Sequence, residues 1–404
     1  MSQHESEGLA ISAYQPTIAS GSYTPRGRLL DDLLGQKFTA ETHTVQANGG
    51  WWSQRLTLSG NLVDMEEWLD RGLGRHIETY NPALEQIFGG FVNSVTLSAG
   101  TLSTTRGPLL DIANRVSVTY TPILDATANP PIVGSQTTTT IADNANSQAQ
   151  YAIIEQVLNG GQLLDDDGTG PPVVSLAERR RDVYLAENAW PKSSEDLGLG
   201  STSEPVIELD ILGYVHWLGA YILDDATAAT ITVSNPAGTG KLQLILAADP
   251  NGIFSTDYVQ MTTNGLLTSR YEQDNRDAWT AVNELVELGD ALNNRYLFGI
   301  YQNQRAEYNA IPTSAKYQHR IASRDIEIQP FGGGVAIAPW DVQVGEWVFL
   351  PDFLVGRPQP AEFRRDPRYI FIESVTFTAP ATAQIRGGNT DTIGQLIAKG
   401  GMWG

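Results

Sequence analysis

The sequence contains no cysteine among its 404 residues. This absence excludes disulfide bonds, thiolate metal sites and cysteine nucleophiles together. Charged residues are also scarce: they make up 18% of the chain, against about 25% of an average soluble protein. Polar uncharged residues and 39 glycines take their place. This composition is typical of strands joined by turns.

Positive charge is in short supply. The chain has 26 lysines and arginines against 46 acidic residues, for a net charge of −20. Proteins that bind nucleic acids present basic faces to the phosphate backbone, so we expect no specific nucleic-acid binding. The one dense basic run, Arg179-Arg180-Arg181, stands between Glu178 and Asp182 in a helical pattern. It indicates a solvated helix face or a subunit contact.

Long apolar runs are missing as well. No stretch approaches the roughly 20 residues that a membrane-spanning helix requires. Residues 1–22 have neither the basic start nor the apolar centre of a signal peptide. We therefore expect a protein that is made in the cytoplasm and is not inserted into a membrane.

Catalytic motifs are few. The five histidines show no His-x₃-His spacing, and each is predicted to be a surface or packing residue. They are His4, His43, His76, His216 and His319. The segment Gly238-Thr239-Gly240-Lys241 resembles a phosphate loop, but Asn235 and Leu242 stand where that loop needs glycine and serine or threonine. It predicts a turn.

Acidic clusters offer no specific site. Asp165-Asp166-Asp167-Gly168 has the oxygen ligands that calcium prefers, but the twelfth loop position is Leu176 instead of glutamate, which favours a solvated loop. Glu66 and Glu67 are adjacent, so on a helix they diverge by about 100°. A glycosidase needs two carboxylates about 5 to 9 Å apart, and nothing in the sequence selects such a pair.

Tryptophans are the remaining candidates, as the lining of a sugar groove. Strand alternation places Trp51 and Trp52 on opposite faces, so at most one of them faces any groove. Core and subunit contacts are favoured for the candidate set, which is Trp51, Trp52, Trp340, Trp347 and Trp403. The sequence therefore assigns no catalytic, cofactor-binding or metal-binding residue, and we expect a protein that is not an enzyme.

The hydrophobic pattern predicts a mainly β fold with short helices. Five strands and one helix are predicted between residues 38 and 120, and Asn61 is the predicted cap of that helix. The clearest helix covers residues 276–288, with Asp274 or Asn275 as its cap and Gly289 at its end. Further helices are predicted at residues 147–158 and 174–189. The predicted organisation is a flexible arm (1–24), a β-barrel-like domain (25–140), a helical connector and linker (141–204), a second β-rich domain (205–380) and an irregular tail (381–404).

One stretch matches itself at an offset of 99 residues. Seven of sixteen aligned positions are identical between residues 110–125 and residues 209–224. Each copy is followed by a threonine-rich segment and then by a helical pattern. This order is typical of one supersecondary unit used twice, so the two segments are expected in equivalent strands of two superposable β domains. Chance similarity of two apolar strands is the alternative.

Several segments resemble strands and turns of tailed-phage virion proteins. They are residues 88–95 (Phe88-Gly89-Gly90-Phe91-Val92-Asn93-Ser94-Val95), 103–111, 345–348 and 369–375. The two-copy architecture resembles the baseplate hub family of those phages. In that family two related barrels in one chain turn a trimer into a pseudo-sixfold ring that joins the tail tube to a spike.

The resemblance implies a structural virion protein at the tail tip. It implies a homotrimer with tail tube, spike and other baseplate proteins as partners, and no catalytic residues or cofactors. An acidic lumen would let DNA slide through the ring. Three alternatives stay open: another tail ring protein (tail tube, distal tail or neck), a tail-mounted polysaccharide or peptidoglycan hydrolase, and a receptor-binding module.

Overall fold

The structure is a computed structural model that describes residues 4–6, 9–19, 22–30, 37–165, 175–197, 204–223, 231–268, 276–322, 325–349, 369–378 and 382–388. It is mainly β, as the sequence predicts. The strands are β1 (His4–Ser6), β2 (Leu9–Ala19), β3 (Ser22–Leu29), β4 (Lys37–Gln46), β5 (Gly49–Ser59), β6 (His76–Tyr80), β7 (Gln86–Ala99), β8 (Leu102–Arg106), β9 (Arg115–Asp125), β10 (Ile132–Val133), β11 (Thr137–Thr138), β12 (Ala142–Asp143), β13 (Glu155–Leu164), β14 (Ser193–Leu197), β15 (Val206–Gly213), β16 (Ile231–Ser234), β17 (Asn264–Thr268), β18 (Tyr296–Ile300), β19 (Ala306–Ala310), β20 (Tyr317–Ala322), β21 (Asp325–Pro330), β22 (Trp347–Phe349), β23 (Tyr369–Thr378) and β24 (Thr382–Gly388).

The helices are short, and their ends follow capping rules. They are α1 (Leu62–Arg71), α2 (Ala145–Tyr151), α3 (Leu176–Asn188), α4 (Lys241–Ala247) and α5 (Ala278–Leu288). The predicted cap of α1 is confirmed, because the side chain of Asn61 accepts from the Asp64 amide. Helix α5 ends at Gly289 as predicted, but its cap is Asp277 instead of Asp274 or Asn275. Within the described segments, no helix has the length and apolar character needed to cross a bilayer.

Strand β15 is an internal strand of the large sheet, with a partner on each edge. It pairs antiparallel with β5 on one edge and with β7 on the other, so that Leu209 lies opposite both Leu56 and Val95. Strand β4 pairs in turn with β23. Strands of the predicted second domain thus lie beside strands of the predicted first domain. Ladders of this 17-stranded sheet therefore join strands from both sides of the predicted boundary at residue 204.

Within the predicted N-terminal arm (1–24), residues 9–19 lie in β2 and residues 22–24 lie in β3. Strand β2 pairs with β3 and with β6, and its residues Leu9 to Ala13 are buried. Short side chains such as Ala10, Ser12 and Ala13 fit between closely packed strands. Because these side chains are small or polar, the sequence of this segment shows no hydrophobic alternation that would predict a buried strand. Strand β14 likewise lies in the predicted linker, and β24 in the predicted irregular tail. Residues 389–404 of that tail lie outside the described residues.

The large sheet curls around a hydrophobic core. Along the order β1–β2–β6–β7–β15–β5–β4, the two ends approach until Cα atoms of β1 and β4 lie within 8 Å. Within the segments that the structure describes, no ladder joins these two strands, so the sheet of the predicted barrel-like domain is not closed there. The enclosed core contains Ile11, Leu56, Phe88, Val95 and Leu209, all fully buried.

The 99-residue repeat does not mark equivalent strands, so that prediction is wrong. Leu110 and Asp111 lie in a 3₁₀ turn, whereas Leu209 to Ile211 lie in β15. Conversely, Val116 lies in β9, whereas Val215 lies in a 3₁₀ helix. The same short apolar sequence can form a strand or a 3₁₀ turn, because either conformation can bury its side chains. Short apolar runs therefore do not determine their secondary structure. Asp224 lies outside the described residues.

A separate five-stranded sheet surrounds β9. Strands β10, β11 and β12 pair antiparallel with β9 on one edge, and β13 pairs with it in parallel on the other. Helix α3 covers this sheet, with Val118, Tyr120 and Ala177 in a small core. The predicted helix over residues 147–158 is half correct, because α2 ends at Tyr151 and the chain then enters β13.

The buried position of β2 is testable. Replacing the fully buried Ile11 by alanine leaves a cavity in the main core, so we expect Ile11→Ala to lower the free energy of unfolding by about 2–5 kcal/mol. The control Val63→Ala, at a side chain that is 74% exposed, should change it by no more than about 0.5 kcal/mol. Urea unfolding measures both, and equal stability of the two variants would contradict a folded β2.

Candidate functional site

Two histidine–carboxylate pairs are buried in the large sheet. On β4, Nδ1 of His43 lies 2.6 Å from Oε1 of Glu41, and on β6, Nε2 of His76 lies 3.0 Å from Oε1 of Glu78. In each pair the residues are two apart, so strand alternation places both on one face. The four residues are almost completely buried. Sequence reasoning treated each histidine singly and missed the signal, which is glutamate two positions from histidine within a strand pattern.

Glu78 is the centre of a hydrogen-bond network. Besides His76, it accepts bonds from the Tyr80 hydroxyl at 2.6 Å and from Nε of Arg26 at 2.6 Å. Burial acts to raise the pKa of Glu78, but the bonds from His76, Tyr80 and Arg26 outweigh it and lower the pKa to about 2. The Tyr214 hydroxyl lies 3.0 Å from Nδ1 of His76. This network therefore holds β3 and the 3₁₀ segment Tyr214–Ala220 against β6.

The Glu41–His43 pair is less completely bonded. Gln54 on β5 donates through Nε2 to Oε1 of Glu41 at 2.9 Å and to the Thr79 hydroxyl at 2.5 Å. Three atoms of this group have no hydrogen-bond partner: Oε2 of Glu41, Nε2 of His43 and Oε1 of Gln54. Because a carboxylate only accepts, Nδ1 of His43 donates to Glu41.

A cavity of about 450 Å³ lies against His43 and is named the His43 cavity. Its walls are partly aromatic, and the ring of His43 stacks on Phe377 at 4.6 Å between centroids. Its residues are His43, Val45, Trp51, Asn81, Glu85, Gln86, Ile87, Tyr301, Gln302, Glu307, Trp340, Asp341, Val342, Gln343, Val344 and Phe377. This lining, drawn from the described part of the chain, includes three carboxyl groups and no lysine or arginine.

The cavity carboxyl groups are poorly compensated. Burial raises the pKa of Glu307, and the nearby Arg305 opposes this only in part. Arg305 itself bonds Asp257 at 2.8 Å. Burial also raises the pKa of Asp341, and the charge of Glu85 raises it further, which shows that these two carboxyl groups lie near one another. The cavity is thus a region of unbalanced negative charge.

The cavity is lined by carboxyl groups, amide side chains and aromatic rings. It contains no serine, threonine or lysine that His43 could activate. Across the described ranges, no three histidine, aspartate or glutamate side chains converge closely enough to hold a metal ion. The lining supplies both hydrogen-bond acceptors and donors beside aromatic rings.

The tryptophans divide between the cavity and the core. Trp51 and Trp340 line the His43 cavity, whereas Trp52 packs on His216 with centroids 4.2 Å apart. The predicted opposite orientation of Trp51 and Trp52 is confirmed. Trp347 is fully buried and donates to the Pro312 carbonyl at 2.9 Å, in agreement with a core role. Trp403 lies outside the described residues.

The remaining sequence candidates are dispersed. Glu67 on α1 accepts from Arg75 at 3.0 Å, and Asp165 accepts from the Tyr120 hydroxyl at 2.7 Å, while residues 166–168 lie outside the described residues. The glycine-rich segment at residues 238–240 is the turn before α4, as predicted. Arg179 to Arg181 lie on α3, where Arg181 bonds Asp182 at 2.7 Å. None of these three arginines lines the His43 cavity.

A second candidate surface is the far end of the five-stranded sheet. Four large apolar side chains are exposed there, and together they are named the apolar end: Leu124, Ile132, Val133 and Leu164. Val133 on β10 and Leu164 on β13 pair with Ile123 on β9 from opposite edges. The ends of β10, β9 and β13 therefore lie side by side. Within the described residues, β13 pairs with β9 alone, which leaves its other edge without a ladder partner.

The chain matches no protein-family model, no curated protein and no solved structure.

The bonds around Glu78 predict a pH dependence of stability. Its folded pKa of about 2 lies below the ordinary 4.5, so the ionised carboxylate stabilises the fold above pH 4.5, and this contribution is lost as the pH falls through 2. We expect Glu78→Gln to remove about 3 kcal/mol of stability at pH 7. The variant should also flatten the decline in stability between about pH 5 and pH 2.

Urea unfolding at a series of pH values measures this effect. Glu208→Gln, at an exposed position of β15, is the matched control and should follow the parent protein. If Glu78→Gln loses stability with falling pH as steeply as the parent does, the network does not hold Glu78 in its ionised form.

Proposed function

We propose that this protein is a ring-forming structural subunit of a bacteriophage tail, at the baseplate or tail-tip hub that joins the tail tube to the central spike. The observation that carries the proposal is the apolar end of the five-stranded sheet beside the free edge of β13. The phage setting rests on the resemblance of strand-and-turn segments, among them residues 88–95, which lie in β7.

The apolar end and the β13 edge support self-association. An edge strand presents unpaired N–H and C=O groups, and soluble proteins usually protect such edges or pair them with another chain. Apolar side chains grouped beside an edge are typical of a subunit contact. In the proposed trimer this surface packs against the next subunit, and the tail tube, spike and other baseplate proteins bind the faces of the ring.

The charge of the chain supports a role around a DNA channel. With a net charge of −20, the surface repels the phosphate backbone and lets DNA pass without specific binding. We propose a lumen of this character, with assembly in the host cytoplasm and final location in the virion. No catalytic activity is part of the proposal.

The finer proposal is that one chain holds two barrel-like units. The first is the curled sheet of strands β1 to β7 with β15. The second consists of the C-terminal strands β20 to β24, which surround their own core of Tyr317, Val348, Ile372 and Val375. These units differ from the ones that the 99-residue repeat predicted.

One observation favours a second candidate, another ring protein of the tail such as a tube, distal tail or neck subunit. The two copies of the repeat adopt different structures, so the repeat gives no support to pseudo-sixfold symmetry within one chain. A subunit with a single barrel-like unit would form a hexamer instead of a trimer. Native mass spectrometry of the assembled ring distinguishes the two candidates.

Disruption of the apolar end is expected to prevent assembly. A buried aspartate without a partner is costly, so Val133→Asp and Leu124→Asp should each weaken subunit association at least about tenfold. The control Val259→Asp alters an exposed valine in another part of the chain. Sedimentation velocity at micromolar concentration measures the change. A parent protein that stays monomeric, alone and with tail partners, would contradict the proposal.

A further inference from the structure

A closed ring of identical subunits needs two different contact surfaces on each chain. A surface that meets its own copy makes a contact with twofold symmetry, and such a contact ends at a dimer. In a ring, a surface of one subunit meets a different surface of the next. The apolar end supplies one of these two surfaces. The ring proposed above therefore requires a second surface that complements it.

The exposed side of helix α3 has the composition of a subunit contact. Arg179, Val183 and Ala186 are spaced four and three residues apart, so they form one row along the helix, and all three are exposed. Val183 is 57% exposed, and Trp190, which follows the helix, is 42% exposed. Arginine and tryptophan are enriched in protein interfaces and among the residues that dominate binding. This surface is named the α3 face: Arg179, Arg180, Val183, Ala186 and Trp190.

The first half of the α3 face is basic. Asp182 is bonded by Arg181 at 2.7 Å, and Glu178 belongs to the capping box at the start of the helix. Both residues of the pair Arg179–Arg180 are exposed, and Glu187 is the exposed acidic residue of the second half. In a chain with a net charge of −20, most other surface of the same protein is acidic. A second copy of this chain is therefore a partner of complementary charge.

The apolar end carries two carboxylates. Leu124 on β9 is followed by Asp125, and Leu164 on β13 is followed by Asp165. Because β13 runs parallel to β9 with Leu164 opposite Ile123, both aspartates lie at the same end of adjacent strands. The apolar end therefore combines exposed leucine, isoleucine and valine with negative charge, whereas the α3 face combines valine and tryptophan with positive charge.

The two surfaces lie on different sides of the five-stranded sheet. Near the start of α3, Ala177 packs with Val118 and Tyr120, in the middle of β9. At the last residue of the helix, the Asn188 carbonyl accepts from the Ala113 amide at 2.8 Å, just before β9 begins. The helix therefore runs along the sheet away from the apolar end. One chain can offer the two surfaces to two different neighbours.

We propose that the apolar end of one subunit docks on the α3 face of the next subunit. The two arginines of the α3 face bind the two aspartates, while its valine and tryptophan pack on the apolar side chains. The occupant of the α3 face is thus a second copy of this chain. This inference rests on the ring proposed above and specifies which two surfaces form its subunit contact.

Mixing two damaged chains tests the contact. Val183→Asp alters the α3 face, Val133→Asp alters the apolar end, and each should weaken association of the separate variant at least about tenfold. A mixture of the two should form a dimer with one chain of each, because one undamaged contact remains between them, and it should grow no further. Val63→Asp, at an exposed valine of α1, is the control and should assemble as the parent does. Sedimentation velocity and native mass spectrometry measure the species.

Cross-linking gives a second measurement, because the chain has no cysteine of its own. Val183→Cys and Ile132→Cys each introduce one thiol at an exposed position of the two surfaces. A short bismaleimide should link the two variants when they are mixed and should link neither variant to itself. Linked pairs of Ile132→Cys alone would show that apolar ends meet each other, which overturns the inference.

The outcomes separate this contact from the ring itself. If the parent assembles and Val183→Asp assembles equally well, the α3 face is not the contact, although the ring can stand. If the parent stays monomeric, alone and with tail partners, the ring fails and this contact fails with it. If Val183→Asp does not fold, Arg180→Glu takes its place, since it sets like charges against each other and should weaken association about tenfold.

Discussion

The insertion of β15 between β5 and β7 is the constraint on which the rest of the fold depends. This strand forms ladders on both edges, and its buried residues Ile207, Leu209 and Ile211 enter the main core. A strand that arrives more than 100 residues after its neighbours can pair with them only when the intervening chain is folded back. The five-stranded sheet and α3 lie within that intervening chain, so their connection to the body is set by the position of β15.

The curl that β15 permits explains where polar residues can be buried. Gln54 on β5 reaches Thr79 on β6, although β15 and β7 separate these strands in the sheet order. Such a contact requires a curved sheet with facing walls. Buried charges cost less when hydrogen bonds and opposite charges surround them, and Glu78 has both in Arg26 and His76. The two histidine pairs differ in this respect, because Oε2 of Glu41 and Nε2 of His43 are buried without a hydrogen-bond partner.

The cavity and the apolar end have different physical characters. The cavity is enclosed by residues from β4, β5, β19 and the segment before β22, so it exists only where the curled sheet meets the C-terminal strands. The apolar end is a surface of one small sheet whose central strand is already paired on both edges. The two features are formed by different parts of the chain.

The sequence by itself determined the β-rich class, the caps at Asn61 and Gly289, and the opposite faces of Trp51 and Trp52. These features depend on local rules, namely side-chain alternation, capping and turn residues, and each can be read within a few neighbouring positions. Tertiary structure decided that residues 9–19 form a strand with Leu9 to Ala13 buried, that the two copies of the 99-residue repeat have different conformations, and that His43 borders the cavity. These features depend on partners dozens or hundreds of residues away. The sheet curvature brings Thr79 to Gln54, and the sequence near these two residues does not predict that contact.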